Sequence, residues 1–132
     1  MAYLWIALGG ALGAVARFSM AAAVFKWFDR PFPYGTLSVN LLGSFAIGVA
    51  YIWLVENGFG GDHHRQLAMV GFLGAFTTFS TFSLESISLL QQARYEAFLA
   101  YIGVSLLGCL AATAAGMSVS YTHLTLPTND QV

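Results

Sequence analysis

The chain has 132 residues, 58% of them hydrophobic and only 8% charged, with five Lys/Arg against six Asp/Glu and a formal net charge of -1. An ordinary soluble domain carries about 25% charged residues, so this composition argues against a soluble enzyme, and its apolar and aromatic content against a disordered chain. Five basic residues cannot neutralise a run of phosphates, which argues against a nucleic-acid partner, and a single cysteine, Cys109, leaves no disulfide framework or multi-cysteine metal site. What remains is an all-α integral membrane protein with lipid as its partner, in keeping with a mean hydropathy of +0.70.

A bilayer-crossing helix needs about 20 mostly apolar residues, and the charges cut the chain into runs of that size. Four transmembrane helices are predicted, at residues 3–24, 35–55, 67–90 and 97–119. The connections are short and leave no room for a soluble domain. The first span lacks the basic start of a signal peptide and is too long for one, so it is read as a helix. Residues 1–119 thus form one transmembrane domain. Residues 120–132, Thr-rich and interrupted by Pro127, read as a tail that is no longer helical. Lys26, Arg30 and Arg94 fall on one side of such a bundle and Arg65 on the other, a small difference for the positive-inside rule to act on.

The informative positions are those a lipid-facing span does not need. In the first span Gly9 and Gly13 share a face with Arg17; small residues at that spacing let helices approach closely. Arg17 either snorkels or stands at a water-filled entrance, where it would concentrate anions. The second span carries Asn40, with Ser44 and Gly48 below it on the same face. A primary amide in hydrocarbon needs partners, so Asn40 is either an interhelical clamp or a donor aimed into a conduction path. In the loop that follows, His63 and His64 are adjacent and lack a third ligand, so no metal site is read there.

The third span departs furthest from a plain lipid helix. Read as a continuous helix, Phe72, Phe76, Phe79 and Phe82 form an aromatic stripe, and Thr78, Thr81, Glu85 and Ser88 a polar one. Its glycines and its β-branched and aromatic residues lower helix propensity, so a break inside this span is predicted. Such freed backbone survives in a membrane only where it is buried in protein or lines a cavity, and its carbonyls can hold a cation. In the fourth span Tyr101, Ser105, Cys109 and Thr113 recur one turn apart, beside a small-residue line of Gly108, Ala112 and Gly116.

Hydroxyls and an amide donate hydrogen bonds, and a phenyl ring has a positive edge. A track of such groups suits a small anion that accepts hydrogen bonds strongly, whereas a cation path more often uses carboxylate or carbonyl rings. No nucleophile–base pair is present, so no catalytic residue is assigned and the chain is not read as an enzyme. Two other readings are weighed. A proton-coupled small multidrug exporter needs a membrane carboxylate, and Glu85 is the only candidate; those exporters keep theirs in the first helix. A non-conducting assembly protein would use the stripes only for packing.

The run Gly74-Ala75-Phe76-Thr77-Thr78-Phe79-Ser80-Thr81-Phe82-Ser83-x-Glu85 resembles the third-helix signature of the Fluc (CrcB) fluoride channels. Gly9-Gly10-x-x-Gly13-x-x-x-Arg17 and Gly35-Thr36-Leu37-x-Val39-Asn40-x-x-Gly43 fit the same family in order. The resemblance implies an antiparallel, dual-topology homodimer in the cell (inner) membrane, exporting fluoride passively through two pores. It implies a fluoride pathway of Asn40, Phe79, Ser80, Thr81, Phe82, Ser83, Glu85 and Ser105, and a vestibule charge at Arg17. It also implies a structural sodium ion held by the backbone carbonyls of Gly74 and Thr77. Cys109 departs from the pattern, standing where a serine is common.

Overall fold

A computed structural model describes residues 1–28 and 32–129, with side chains described as far as His123. Arg30, counted above for orientation, and residues 130–132 of the tail lie outside the described residues. Every regular element among the described residues is helical. We label them α1 (Ala2–Trp27), α2 (Tyr34–Glu56), α3 (residues 62–76), α4 (Phe79–Gln91) and α5 (Tyr95–Asn129). Four stretches, Ala2–Trp27, Tyr34–Glu56, Asp62–Gln91 and Tyr95–His123, are long and apolar enough to cross a bilayer. The chain is a multi-pass membrane protein.

Two helix boundaries differ from the sequence expectation. The third span starts at Asp62, so His63 and His64 sit on a helical turn and not in a loop. Asp62 in the first turn favours the positive helix end and pairs with Arg65 at 2.6 Å, while the His63 ring lies on Trp5 with centroids 5.0 Å apart. At the other end, α5 continues to Asn129 where a stop near Val119 was expected. A helix already nucleated gains a bond per added residue, and Tyr121 OH donates to the Glu56 carboxylate at 2.6 Å, tying that extension to α2. The α4–α5 corner is a Schellman turn: Ala93 N–H donates to Leu90 O and Arg94 N–H to Leu89 O, both at 3.0 Å. Ala93 takes the left-handed conformation, φ 59, that glycine usually occupies there.

The helices associate in two close pairs. α1 runs along residues 66–73 of α3, and α2 along α5. Each pair is seamed by glycines on both sides. A Cβ at Gly9 or Gly13 would overlap the carbonyls of Leu67 or Phe72, and one at Gly71 would come within 2.7 Å of Ile6 O. In the other pair a Cβ at Gly48 would overlap Thr113 O, and one at Gly116 would overlap Phe45 O. Residues 51–56 and 66–73 adopt wide π-helical turns, which shift side-chain register along these seams. Large apolar residues such as Leu8, Leu12 and Val15 on α1 and Leu106, Leu107 and Leu110 on α5 stay exposed. Lipid tails are as apolar as leucine, so these faces gain nothing by packing inward, and close backbone approach holds the bundle instead. Gly48→Leu is expected to cost about 3 kcal/mol by overpacking and to lower the thermal midpoint of the purified protein in detergent. Gly103→Ala, where an added Cβ meets nothing within 4 Å, is expected to leave that midpoint in place.

Candidate functional site

Between Phe76 and Phe79 the chain leaves the helix. Thr77 (φ -84, ψ 156) and Thr78 (φ -148, ψ 119) are extended. Both are β-branched and flanked by phenylalanines, which lowers helix propensity. Thr77 also turns its hydroxyl back onto Leu73 O at 3.1 Å, a local bond that competes with helix continuation. Thr78 is the N-cap of α4, its Oγ1 accepting from Thr81 N–H at 3.3 Å and donating to Thr81 Oγ1 at 3.1 Å.

The backbone groups at this point are met by other helices. Thr78 N–H donates to Asn40 Oδ1 at 2.8 Å, and Asn40 Nδ2 donates to Thr78 O at 3.0 Å. Arg17 Nε donates to Ala75 O at 3.1 Å. A continuous helix would send Thr78 N–H to Gly74 O and Thr81 N–H to Thr77 O. Both amides are taken elsewhere, so the carbonyls of Gly74 and Thr77 lose their helical donors.

A cavity of about 410 Å³ opens beside these residues. It brings together Asn40, Gly74, Thr77, Phe79, Phe82 and Ser105 from the sequence-predicted set, and adds Thr78 and Cys109. The Phe79 and Phe82 rings lie 5.4 Å apart at 50°; Phe82 is buried while Phe79 is 71% exposed. Ser105 is buried and its Oγ has no hydrogen-bond partner. Asn40 has given one amide proton to Thr78 and keeps a second.

Other predicted residues lie elsewhere. Glu85 lines a second cavity of about 440 Å³ with Ser88 and the rings of Phe18, Phe28 and Phe32. Tyr101 OH donates to Glu85 Oε1 at 2.9 Å. Ser80, Thr81 and Ser83 line neither cavity. The continuous aromatic stripe does not form: the extended residues divide it into a stacked Phe72–Phe76 pair at 5.9 Å and the Phe79–Phe82 pair. Arg17 sits not as an isolated charge but against the backbone of the extended segment. Among the described residues no group of His, Cys, Asp and Glu is placed to hold a metal ion.

Residues 4–117 match the family described as CrcB-like protein, Camphor Resistance (CrcB). The chain belongs to the CrcB family. A protein of Hahella chejuensis named fluoride-specific ion channel FluC is 51% identical over 117 residues, which is 89% of this chain and 92% of that one. A protein of the same name from Magnetococcus marinus is 46% identical over 119 residues, 90% of this chain and 97% of its own length. Another from Aquifex aeolicus is 46% identical over 104 residues, covering 78% and 84%. The family resemblance read from the third-helix motif is thereby shown.

Sequence reasoning placed Thr78 in a polar stripe and Tyr101 in a helical line but gave neither a role. Thr78 supplies the peptide unit that Asn40 grips, and Tyr101 orients Glu85. The signal for Thr78 was its residue type, a threonine standing ahead of a helical run, which is among those preferred at an N-cap. Asn40→Ala removes both partners of the Thr78 peptide, two hydrogen bonds of about 1 kcal/mol each. The variant is expected to show amide exchange at Thr78 more than tenfold faster than the parent, read by hydrogen–deuterium exchange in detergent.

Proposed function

We propose that this chain is a fluoride-selective passive ion channel of the cell membrane. The observation that carries this reading is the cavity at residues 77–78. There a membrane span gives up helical hydrogen bonding, and an amide, two phenyl rings and an unpartnered serine hydroxyl gather around the space. The names of the relatives support it: they are named fluoride-specific ion channels. The exporter reading is further weakened because α1 contains no carboxylate and Glu85 already accepts from Tyr101.

Fluoride is a small, strong hydrogen-bond acceptor and must be given donors as its water is removed. The second Asn40 amide proton and the Ser105 hydroxyl are such donors. A phenyl ring has a positive rim, so Phe79 and Phe82, which both line the cavity, can meet an anion edge-on while their bulk narrows the path. The N-terminal end of α4, at Thr78 and Phe79, adds a partial positive charge to the same wall. A larger, more weakly accepting anion such as chloride gains less from each of these groups.

Export through two pores would need a second copy, antiparallel to the first. Phe79, a residue of the proposed pathway, is 71% exposed in a single copy, and a partner on that face would close the open side of the cavity. The residues present also fit a structural sodium ion. The carbonyls of Gly74 and Thr77 lack helical donors, and neutral oxygens suit a hard monovalent cation. Two carbonyls from each of two copies related by a two-fold axis would hold it. Bound there, the ion would neutralise carbonyls that are otherwise costly at membrane depth.

In liposomes loaded with potassium fluoride, valinomycin is expected to release fluoride rapidly through the purified protein, with almost no chloride released from chloride-loaded vesicles. Equal rates would remove the selectivity, and no flux from folded protein would remove the channel. Phe79→Ile, Phe82→Ile and Asn40→Asp are each expected to slow fluoride more than tenfold, about 1.4 kcal/mol in a barrier. An experimental structure of the assembled protein is expected to show two antiparallel copies with one cation between the Gly74 and Thr77 carbonyls. Parallel copies would overturn the dual topology, and water in place of the cation would overturn the sodium site.

A further inference from the structure

α5 carries four polar or soft side chains one turn apart, and the structure divides them. The outer two are satisfied within the protein: Tyr101 OH donates to Glu85 and Thr113 Oγ1 to Ser44 O, both at 2.9 Å. The inner two are not. Ser105 is only 5% exposed, and its Oγ has no partner. Cys109 is a half-buried free thiol. Both line the cavity that holds Asn40 and Phe82. A buried hydroxyl left without a partner marks a place where something other than the chain completes the bonding, and one turn away on the same wall stands a sulfur.

We propose that Cys109 is a modification site for small soft electrophiles in the wall of the ion pathway, and that derivatising its sulfur closes the pathway. This rests on the reading of the cavity as the fluoride route. Serine at this position could not act in the same way, because only sulfur combines nucleophilicity with soft-ligand character. With a methanethiosulfonate, the Cys109 sulfur attacks the sulfenyl sulfur of the reagent. A new S–S bond forms, the reagent's own S–S bond breaks, and methanesulfinate leaves with that electron pair while the thiol proton passes to water. The thiol is oxidised and the reagent reduced, so no other reactant is needed. The attached methylthio group occupies space that a dehydrating anion requires and offers it no donor.

Cys109 is the only cysteine in the chain, so one added mass reports on one site. The test uses the full-length protein in fluoride-loaded liposomes, treated with methyl methanethiosulfonate and followed by efflux and by intact mass. One adduct per chain is expected to slow fluoride efflux more than tenfold, and dithiothreitol to restore it as the adduct is lost. Cys109→Ser, compared with its own untreated rate, is expected to show neither adduct nor slowing; Cys109→Ala serves the same purpose if the serine variant does not fold. A full adduct without slowing overturns the proposal. So does the absence of an adduct on folded protein that reacts once unfolded in detergent, or slowing in a variant without the thiol. Absence of fluoride efflux before any reagent is a different result: it overturns the pathway reading, and this proposal with it.

Discussion

The structure turns on one contact, the side-chain amide of Asn40 laid against the peptide unit of Thr78. A peptide group released from a helix inside a bilayer has no water to turn to, and each unsatisfied group costs several kcal/mol. An asparagine side chain offers a carbonyl and an N–H₂ side by side, so it can meet an N–H and a C=O of the same residue at once. It replaces across two helices what the helix has lost along its own axis. The extended residues are thereby held as a fixed feature of the fold, and α4 can begin afresh with Thr78 as its cap.

Several neighbours are dictated by that contact. α2 must present Asn40 at the height of Thr78, which brings its next turn against Thr77. Gly43 sits there, and any Cβ would overlap the Thr77 methyl. α1 must present Arg17 to Ala75 O, and it does so because Gly9 and Gly13 let its backbone rest on residues 67–72. The same arginine that would be a costly isolated cation in a span is here a donor to backbone. The seam between α2 and α5 in turn sets which side chains of α5 reach the cavity.

The polar residues of the spans therefore fall into two classes with different work. Asn40, Arg17, Tyr101 and Thr113 each hold another group of the protein in place. Asn40, Ser105 and Cys109 also line the cavity; there Ser105 Oγ has no protein partner, Asn40 keeps one amide proton, and Cys109 is a free thiol. In the proposed channel, the second class is positioned by the first. A donor already aligned need not reorganise when the ion arrives, which is the advantage of placing it on helices clamped by their own backbones.

The sequence by itself determined the solvent and the family. With 8% charged residues the chain has to meet lipid, and runs of about 20 apolar residues between charges count the spans directly. The Gly74–Glu85 motif carried the family resemblance. It also pointed to a break in the third span, expected between Gly74 and Thr77, whereas the structure keeps residues 74–76 helical and extends Thr77 and Thr78. Periodicity then misled, because a stripe from Phe72 to Phe82 assumes a 3.6-residue repeat that extended residues interrupt. The start of α3 at Asp62 and the length of α5 were missed for a related reason: local composition near Gly61 and Pro127 reads as loop, while the Trp5–His63 and Glu56–Tyr121 contacts favour helix. Only the tertiary structure decided which polar groups have partners within the protein and which do not. The partners of Asn40, Arg17 and Thr113 lie 38, 58 and 69 residues away in the chain. A hydrogen bond is made or lost within a few tenths of an ångström, and that distance is set by how closely the helices pack and not by any spacing along one of them.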